Sequence, residues 1–331
     1  MGNPKETTTM DKYLQDLLER MADRSDDMVD MPSGGRQSNP DATFKKANDE
    51  ARQINNLEYI EQLKAFIEKT NNEDLKKNAY NVLFYIYSNT GEARILTYCI
   101  DRLATEKKEW TLYTILWNIE CLKNKIPSDI NIDNILALTT YKKHLVRDGA
   151  INCLKNADNS KAEDKLIEII TTSTDHYQLT YANATIGTIG TSKSIQHLLK
   201  LVENKKQDVA ATALGAVLKL SDKTLLTLFI ENLEKGKLKY LGLEGVVKYG
   251  DKNVVPFVEK RVKELVAKKR IIQFILSKNN TELTVAMNFL AEYSKEIESI
   301  RKLYNTLMTV KWELLWDTEK QWLNDNRNRF E

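Results

Sequence analysis

The residue types in this sequence that bind metals or move protons are few, and their spacing builds none of the usual sites. His144, His176 and His197 fall at turns or on different predicted helices, with no carboxylate or cysteine at ligand spacing, so no metal is expected. Cys99, Cys121 and Cys153 are odd in number and set in apolar stretches, which reads as buried reduced thiols rather than a disulfide framework. There is no Gly-rich phosphate loop, nucleophile elbow or His-Glu-x-x-His run. No catalytic residue and no cofactor is therefore assigned.

The chemistry that remains is adhesion. Tyr113 and Trp117 stand one helical turn apart and form an aromatic plate, the kind of anchor that dominates binding energy at many interfaces. Between Lys235 and Arg270 there are eleven Lys and Arg against four Asp and Glu, among them Lys260, Arg261, Lys263, Lys268, Lys269 and Arg270. Such a stretch can attract an acidic protein face or a nucleic-acid backbone, although charge runs of this kind also form solvated helix faces.

Composition bounds what could position these residues. In 331 residues, 42% are hydrophobic and 29% charged, with 12 glycines and 5 prolines, which describes a helix-rich chain with a substantial core and excludes disorder along its whole length. The formal charge of +2 lacks the strong positive field of a dedicated nucleic-acid binder. No apolar run approaches the roughly 20 residues of a membrane span, and the first residues offer no apolar signal core, so a cytoplasmic protein without membrane contact is expected. Gly2 invites a myristoylation reading, but Glu6 stands where that motif wants Ser or Thr.

Along the chain, Tyr13, Leu14, Leu17, Leu18 and Met21 fall on one face of a short helix, giving an N-terminal arm over residues 1–24. Residues 25–50, with Asp26, Asp27, Asp30, Pro32, Gly34, Gly35 and Pro40, read as a flexible linker. From there a register recurs six times, each time a small or apolar residue followed by apolar residues four and seven later. It runs Ala79, Leu83, Ile86; Ile115, Ile119, Leu122; Ala150, Leu154, Ala157; Ala182, Ile186, Ile189; Ala213, Val217, Leu220; Gly242, Val246, Tyr249. First members stand 36, 35, 32, 31 and 29 residues apart, the step of a repeat array of helix pairs. Each second helix then carries one apolar stripe, and only stacking of neighbouring pairs can cover it. Asp208, Asp222 and Asp251 are placed to cap helix starts, and Gly190, Ser221 and Gly250 to stop second helices. Ala286, Leu290 and Tyr293 continue the register as a seventh unit, and Ile297, Ile300, Leu303, Leu307, Trp312, Leu315, Trp316 and Trp322 suggest closing helices.

These features resemble the HEAT-repeat family over roughly residues 57–269. His144-Leu145-Val146-Arg147-Asp148-Gly149-Ala150 is similar to the Val-Arg-x-x-Ala start of a HEAT second helix, and Ala182 to Gly190, Asp208 to Asp222 and Asp251 to Val258, with Pro256 in the following first helix, fit the same pattern. The motif's Arg occurs only at Arg147, and the first two repeats are longer and more aromatic than the pattern. The resemblance implies an all-α, right-handed α-solenoid of about six to seven helix pairs over residues 51–276, with a terminal repeat and helical cap over 277–331. It also implies that second helices line a concave face. Positions opposite the core stripe are then Tyr113, Trp117 and Glu120; Asp148, Asn152, Lys155 and Asn156; Ala184 and Thr188; Gly215 and Lys219; and Tyr240, Glu244 and Lys248.

The expected function is a non-catalytic protein-binding scaffold or adaptor, whose anchors are Tyr113, Trp117, Glu120, Asn152, Lys155, Lys219, Tyr240 and Lys248. An inhibitor or immunity-type protein acting by occlusion is a narrower version. The rival is a nucleic-acid binder, or an enzyme similar to the HEAT-like DNA glycosylases, which are strongly basic and set a carboxylate among concave-face tryptophans. Trp117 with Glu120 and Arg147 echoes that arrangement, but Thr114 stands one turn after Trp110 where an acid would be wanted.

Overall fold

The computed structural model describes residues 10–31, 34–157, 160–271 and 280–331. It forms two compact units, Met1–Ile189 and Gly190–Glu331. The first opens with α1 (Lys12–Ala22), the short strands β1 (Met28–Asp30) and β2 (Arg36–Ser38), and α2 (Thr43–Ala51). Four helix pairs follow: α3 (Tyr59–Lys69) with α4 (Glu73–Thr90), α5 (Ala93–Arg102) with α6 (Glu109–Glu120), α7 (Asp133–Leu138) with α8 (His144–Cys153), and α9 (Ser160–Thr172) with α10 (His176–Ile189). The second unit has three pairs, α11 (Ser192–Val202) with α12 (Gln207–Leu220), α13 (Leu226–Glu234) with α14 (Lys239–Tyr249), and α15 (Val255–Leu265) with α16 (Glu282–Ala291). It ends in α17 (Glu298–Thr309) and α18 (Asp317–Asp325). The seventh pair straddles the boundary expected at residue 276, part of which lies outside the described residues.

The repeated register is what stacks the pairs. Its first and fifth residues are buried in all six repeats, from Ala79 and Leu83 to Gly242 and Val246. The eighth is buried only at Ile86 and Ala157 and half-buried at Leu122, Ile189, Leu220 and Tyr249, since it sits at the fraying end of its helix. In the first unit these stripes pack α4 on α6, α6 on α8 and α8 on α10. In the second they pack α12 on α14 and α14 on α16. Close approach demands small residues: a Cβ at Gly245 of α14 would lie 2.1 Å from Cγ of the buried Phe229 in α13.

Local chemistry fixes the helix ends. The Asn72 side chain accepts from the Asp74 and Leu75 amides to start α4, and Gly91, at φ 73°, stops it in the left-handed conformation. Asp222 and Asp251 accept from the Thr224 and Asn253 amides, as their spacing suggests. Asp208 lies inside the first turn of α12, whose cap position is Lys206; from there its carboxylate accepts from the Val209 amide at 3.0 Å and is favoured by the helix dipole.

The N-terminal arm and the segment over residues 25–50 also differ from their sequence reading. Leu14, Leu17, Leu18 and Met21 are buried, with α1 packed on α2 and α4. The Asn78 amide donates to the Leu18 carbonyl at 3.2 Å, and Arg20 Nη1 donates to Glu50 at 2.8 Å. In place of a linker, β1 and β2 pair antiparallel, with Val29 opposite Gln37. The Asp26 carboxylate accepts from the Thr43 amide at 3.0 Å and from its hydroxyl at 2.9 Å, capping α2 from 17 residues away. A count of polar and turn residues cannot register a cap that distant.

The second unit closes through a buried ion pair. Arg270 Nη1 donates to Glu319 Oε1 at 2.8 Å, the fully buried Glu319 also accepts from the Thr281 hydroxyl at 2.7 Å, and the Arg270 guanidinium lies 4.1 Å from the Trp316 ring centroid. Nearby, Tyr304 stacks on Phe330 at 4.4 Å.

Candidate functional site

The aromatic plate expected on α6 exists and is larger than expected. Trp117 is 50% exposed and Trp110, one turn before Tyr113, is 57% exposed. The three rings form a ladder, with centroids 6.1 Å apart from Trp110 to Tyr113 and 6.2 Å from Tyr113 to Trp117. In the same unit Tyr177 (59% exposed) and Tyr181 stand free on α10, and the His176 ring lies 4.0 Å from that of Tyr177. The sequence pattern left out Trp110, Tyr177 and Tyr181 because it takes offsets of −2, +2 and +5 or +6 from the core stripe. Trp110 and Tyr177 both sit five residues before their stripe, and that shared offset was the available signal.

The packing beneath holds α6 in place. Tyr113 rests over Gly149 of α8, where an added Cβ would lie 3.4 Å from its Cδ2. The Asn156 amide donates to the carbonyls of Ile119 (2.8 Å) and Glu120 (3.0 Å), and the Cys153 thiol donates to that of Leu116 at 2.8 Å. Side chains at and just after the end of α8 thus bind carbonyls near the end of α6, including that of Glu120, which the helix leaves open. The Asn118 amide, shared with the Thr114 carbonyl, donates to Asn81 of α4 at 2.8 Å.

The polar groups around the ladder are mostly engaged with one another. Lys155 bonds Glu120 at 3.0 Å, and Arg147 bonds both Asp148 (3.1 Å) and Asp175 (2.9 Å). Asn152 is half-buried on α8. Burial pushes the Asp148 carboxyl upward against the pull of Arg147, and it raises the Tyr113 phenol, with the Glu120 charge adding to the shift. Cys99 and Cys153 are buried as expected, but Cys121 is exposed because it follows the last turn of α6. Among the described residues no group of three His, Cys, Asp or Glu could hold a metal ion.

The remaining anchors, Lys219, Tyr240 and Lys248, belong to the second unit. Lys219 is exposed, and Lys248 donates to the Leu218 carbonyl at 2.8 Å and covers the Tyr249 ring. Tyr240 and Glu244 are half-buried and both shifted upward by burial, Glu244 also by the charge of Glu282.

The six residues read as a basic patch do not form one. Arg261 is turned inward onto Glu282 (2.6 Å) and Glu264 (3.0 Å), and Arg270 onto Glu319. Lys260 pairs with Glu234 at 2.9 Å, and Lys263 lies 3.8 Å from Glu259. Only Lys268 and Lys269 stand exposed with no ion pair among the described residues. The reason is tertiary: partners from α13, α16 and α18 arrive from 26, 21 and 49 residues away.

No protein-family model matches the chain, and comparison with curated proteins found no match. Among solved structures, Kap121p bound to Nup53p is similar over 90% of this chain, at 13% identity and a TM-score of 0.54, and this chain spans only 37% of that one. An engineered protein is similar over 91% of this chain and 85% of its own length, at 14% identity and a TM-score of 0.45. Among the described residues no helix is long and apolar enough to cross a membrane. The fold is thus all-α, built of stacked helix pairs, and resembles known helical solenoids.

Proposed function

We propose that this chain is a non-catalytic, HEAT-like scaffold of the cytoplasm that holds another protein against the aromatic face of its first unit. The observation that carries this reading is the ladder of Trp110, Tyr113 and Trp117 with Tyr177 and Tyr181. Trp110, Trp117 and Tyr177 remain half or more open to water and Tyr181 is 37% exposed, with Tyr113 half-buried between the two tryptophans, while Ile115, Ile119, Ala182 and Ile186 of the same helices are fully buried. Large aromatic rings on a well-braced helix face lose little freedom on contact and supply most of the energy at protein interfaces. The Lys155–Glu120 and Arg147–Asp148–Asp175 pairs would form its polar rim. The similarity to Kap121p, whose structure was solved bound to Nup53p, is in keeping with a protein partner. An inhibitor or immunity-type protein that blocks its target by covering it is the narrower form.

The test compares wild type with a Trp110→Ala/Trp117→Ala variant, each as bait in extract of the native cell, with captured proteins identified by mass spectrometry. The variant should retain wild-type helix content and cooperative unfolding yet lose the specific partner. With the partner purified, each substitution should weaken binding by about thirtyfold, corresponding to about 2 kcal/mol per anchor. Equal capture by both baits would end this reading.

A further inference from the structure

We propose that the second unit carries, along the edge formed by its helix-pair turns, a lysine row that binds the phosphate backbone of duplex nucleic acid. The charge of the chain is unevenly divided. Residues 190–331 hold 25 Lys and Arg against 18 Asp and Glu, a net +7, whereas residues 1–189 hold 24 against 29, a net −5. The near-neutral total conceals a basic unit.

The placement of the unpaired lysines is ordered. Lys205 and Lys206 lie in the turn between α11 and α12, Lys235 and Lys237 in the turn between α13 and α14, and Lys268 and Lys269 in the connection after α15. All six are exposed, and none has an ion pair among the described residues. Because α12 packs on α14 and α14 on α16, these turns follow one another along one edge of the unit, in steps of about 10 Å, the usual spacing of packed helices. The opposite edge, where first helices begin, has oxygen side chains in the same role: Thr191, Asp222 and Asp251 each cap a helix start. Lys206 occupies the cap position of α12 with no side-chain cap bond, a place where folding alone favours Ser, Thr, Asp or Asn. Lysines stand on that opposite edge as well, at Lys193, Lys219, Lys223 and Lys252, of which Lys252 pairs with Glu296 at 2.6 Å, but the close doublets Lys205/Lys206, Lys235/Lys237 and Lys268/Lys269 all fall on the first edge.

The chemistry of the row favours a phosphate backbone. Lysine is a strongly hydrated point charge on a flexible stem, suited to sequence-independent phosphate contact, and the two arginines of the region are engaged internally. An acidic protein face would call for apolar anchors among the charges, and a single strand for stacking platforms. The exposed aromatic rings among the described residues all belong to the first unit, and beside the row the large apolar side chain left exposed is the isolated Ile271, two residues after Lys269. Lys107, Lys108, Lys142 and Lys143 repeat the pattern in two turns there, but that unit is net acidic and its turn between α9 and α10 carries no lysine.

The experiment is fluorescence anisotropy of a labelled DNA duplex with the full chain, at low and at moderate salt. Six phosphate contacts predict binding that weakens by about a thousandfold between 50 and 200 mM salt. Lys205→Glu/Lys206→Glu/Lys235→Glu/Lys237→Glu should abolish binding. The corresponding four Lys→Gln changes, which leave the fold uncharged at these turns, should weaken it and flatten the salt slope. Trp110→Ala/Trp117→Ala should leave it unchanged. Absence of duplex binding at low salt, or binding indifferent to both lysine sets, overturns the proposal. So does competition by polyglutamate, or by vesicles of anionic lipid, as effective as unlabelled duplex at equal charge.

Discussion

The same substitution, Gly→Ala, should have opposite effects at two second helices of the second unit. At Gly245 an added Cβ would meet Cγ, Cδ1 and Cδ2 of Phe229 at 2.1, 2.2 and 2.7 Å. Carbon atoms in contact sit about 3.5–4.0 Å apart, so the ring must retreat by about 1.5 Å. Phe229 is fully buried, and its ring lies 5.8 Å from that of Tyr249, whose hydroxyl is bound to the Leu218 (2.7 Å) and Ser221 (2.6 Å) carbonyls. Overpacking of this kind costs about 1–3 kcal/mol or more, against about 1 kcal/mol gained in helix propensity. With three ring carbons overlapped this deeply the cost falls at the top of that range, and a net loss of about 2 kcal/mol is expected. At Gly215 on α12 nothing lies within 4 Å of the added methyl, so only the propensity gain applies and stability should rise by about 0.5–1 kcal/mol. Urea unfolding followed by circular dichroism reads both as shifts of midpoint at constant slope. Adding Phe229→Leu to Gly245→Ala should make the double variant more stable than the two single losses sum to, by on the order of 1–2 kcal/mol. A Gly245→Ala protein as stable as wild type would refute the packing of α14 on α13 described above.

Leu154, fully buried in the middle of the third stripe, should cost about 2–5 kcal/mol when changed to Ala, and half-buried Leu122 in the second repeat distinctly less, both by urea midpoint. Arg270→Ala strands the carboxylate of fully buried Glu319 and should lose about 3–5 kcal/mol, whereas breaking the exposed Lys302–Glu298 pair should change stability by under about 0.5 kcal/mol. Arg20, then Tyr13, hold the Glu50 carboxyl below its ordinary value of 4.5. A depressed folded value means that its contribution is present in full above that pH and is lost as pH falls through the folded value. The gap in melting temperature between wild type and Glu50→Gln should therefore narrow in acid, and a gap independent of pH would remove the pair from the account. The effect should be modest, because Glu50 is 37% exposed.

The helix pairs, their order and their buried stripes were determined by sequence alone, because a 3.6-residue apolar period and a step of 29 to 36 residues are properties of neighbours along the chain. Asp222 and Asp251 as caps, and Trp117 as an open ring, were legible for the same local reason. Only the tertiary structure could decide what depends on partners brought from afar. Asp26 reaches α2 across a hairpin, α1 buries its face on α4, and Arg261 and Arg270 turn inward onto Glu282 and Glu319. A charge is free or spent according to what folds against it. Six of the eleven basic residues read from composition are therefore taken up in ion pairs, while Lys235, Lys237, Lys268 and Lys269 of the same segment stand unpaired at the turns, where no second element arrives to meet them.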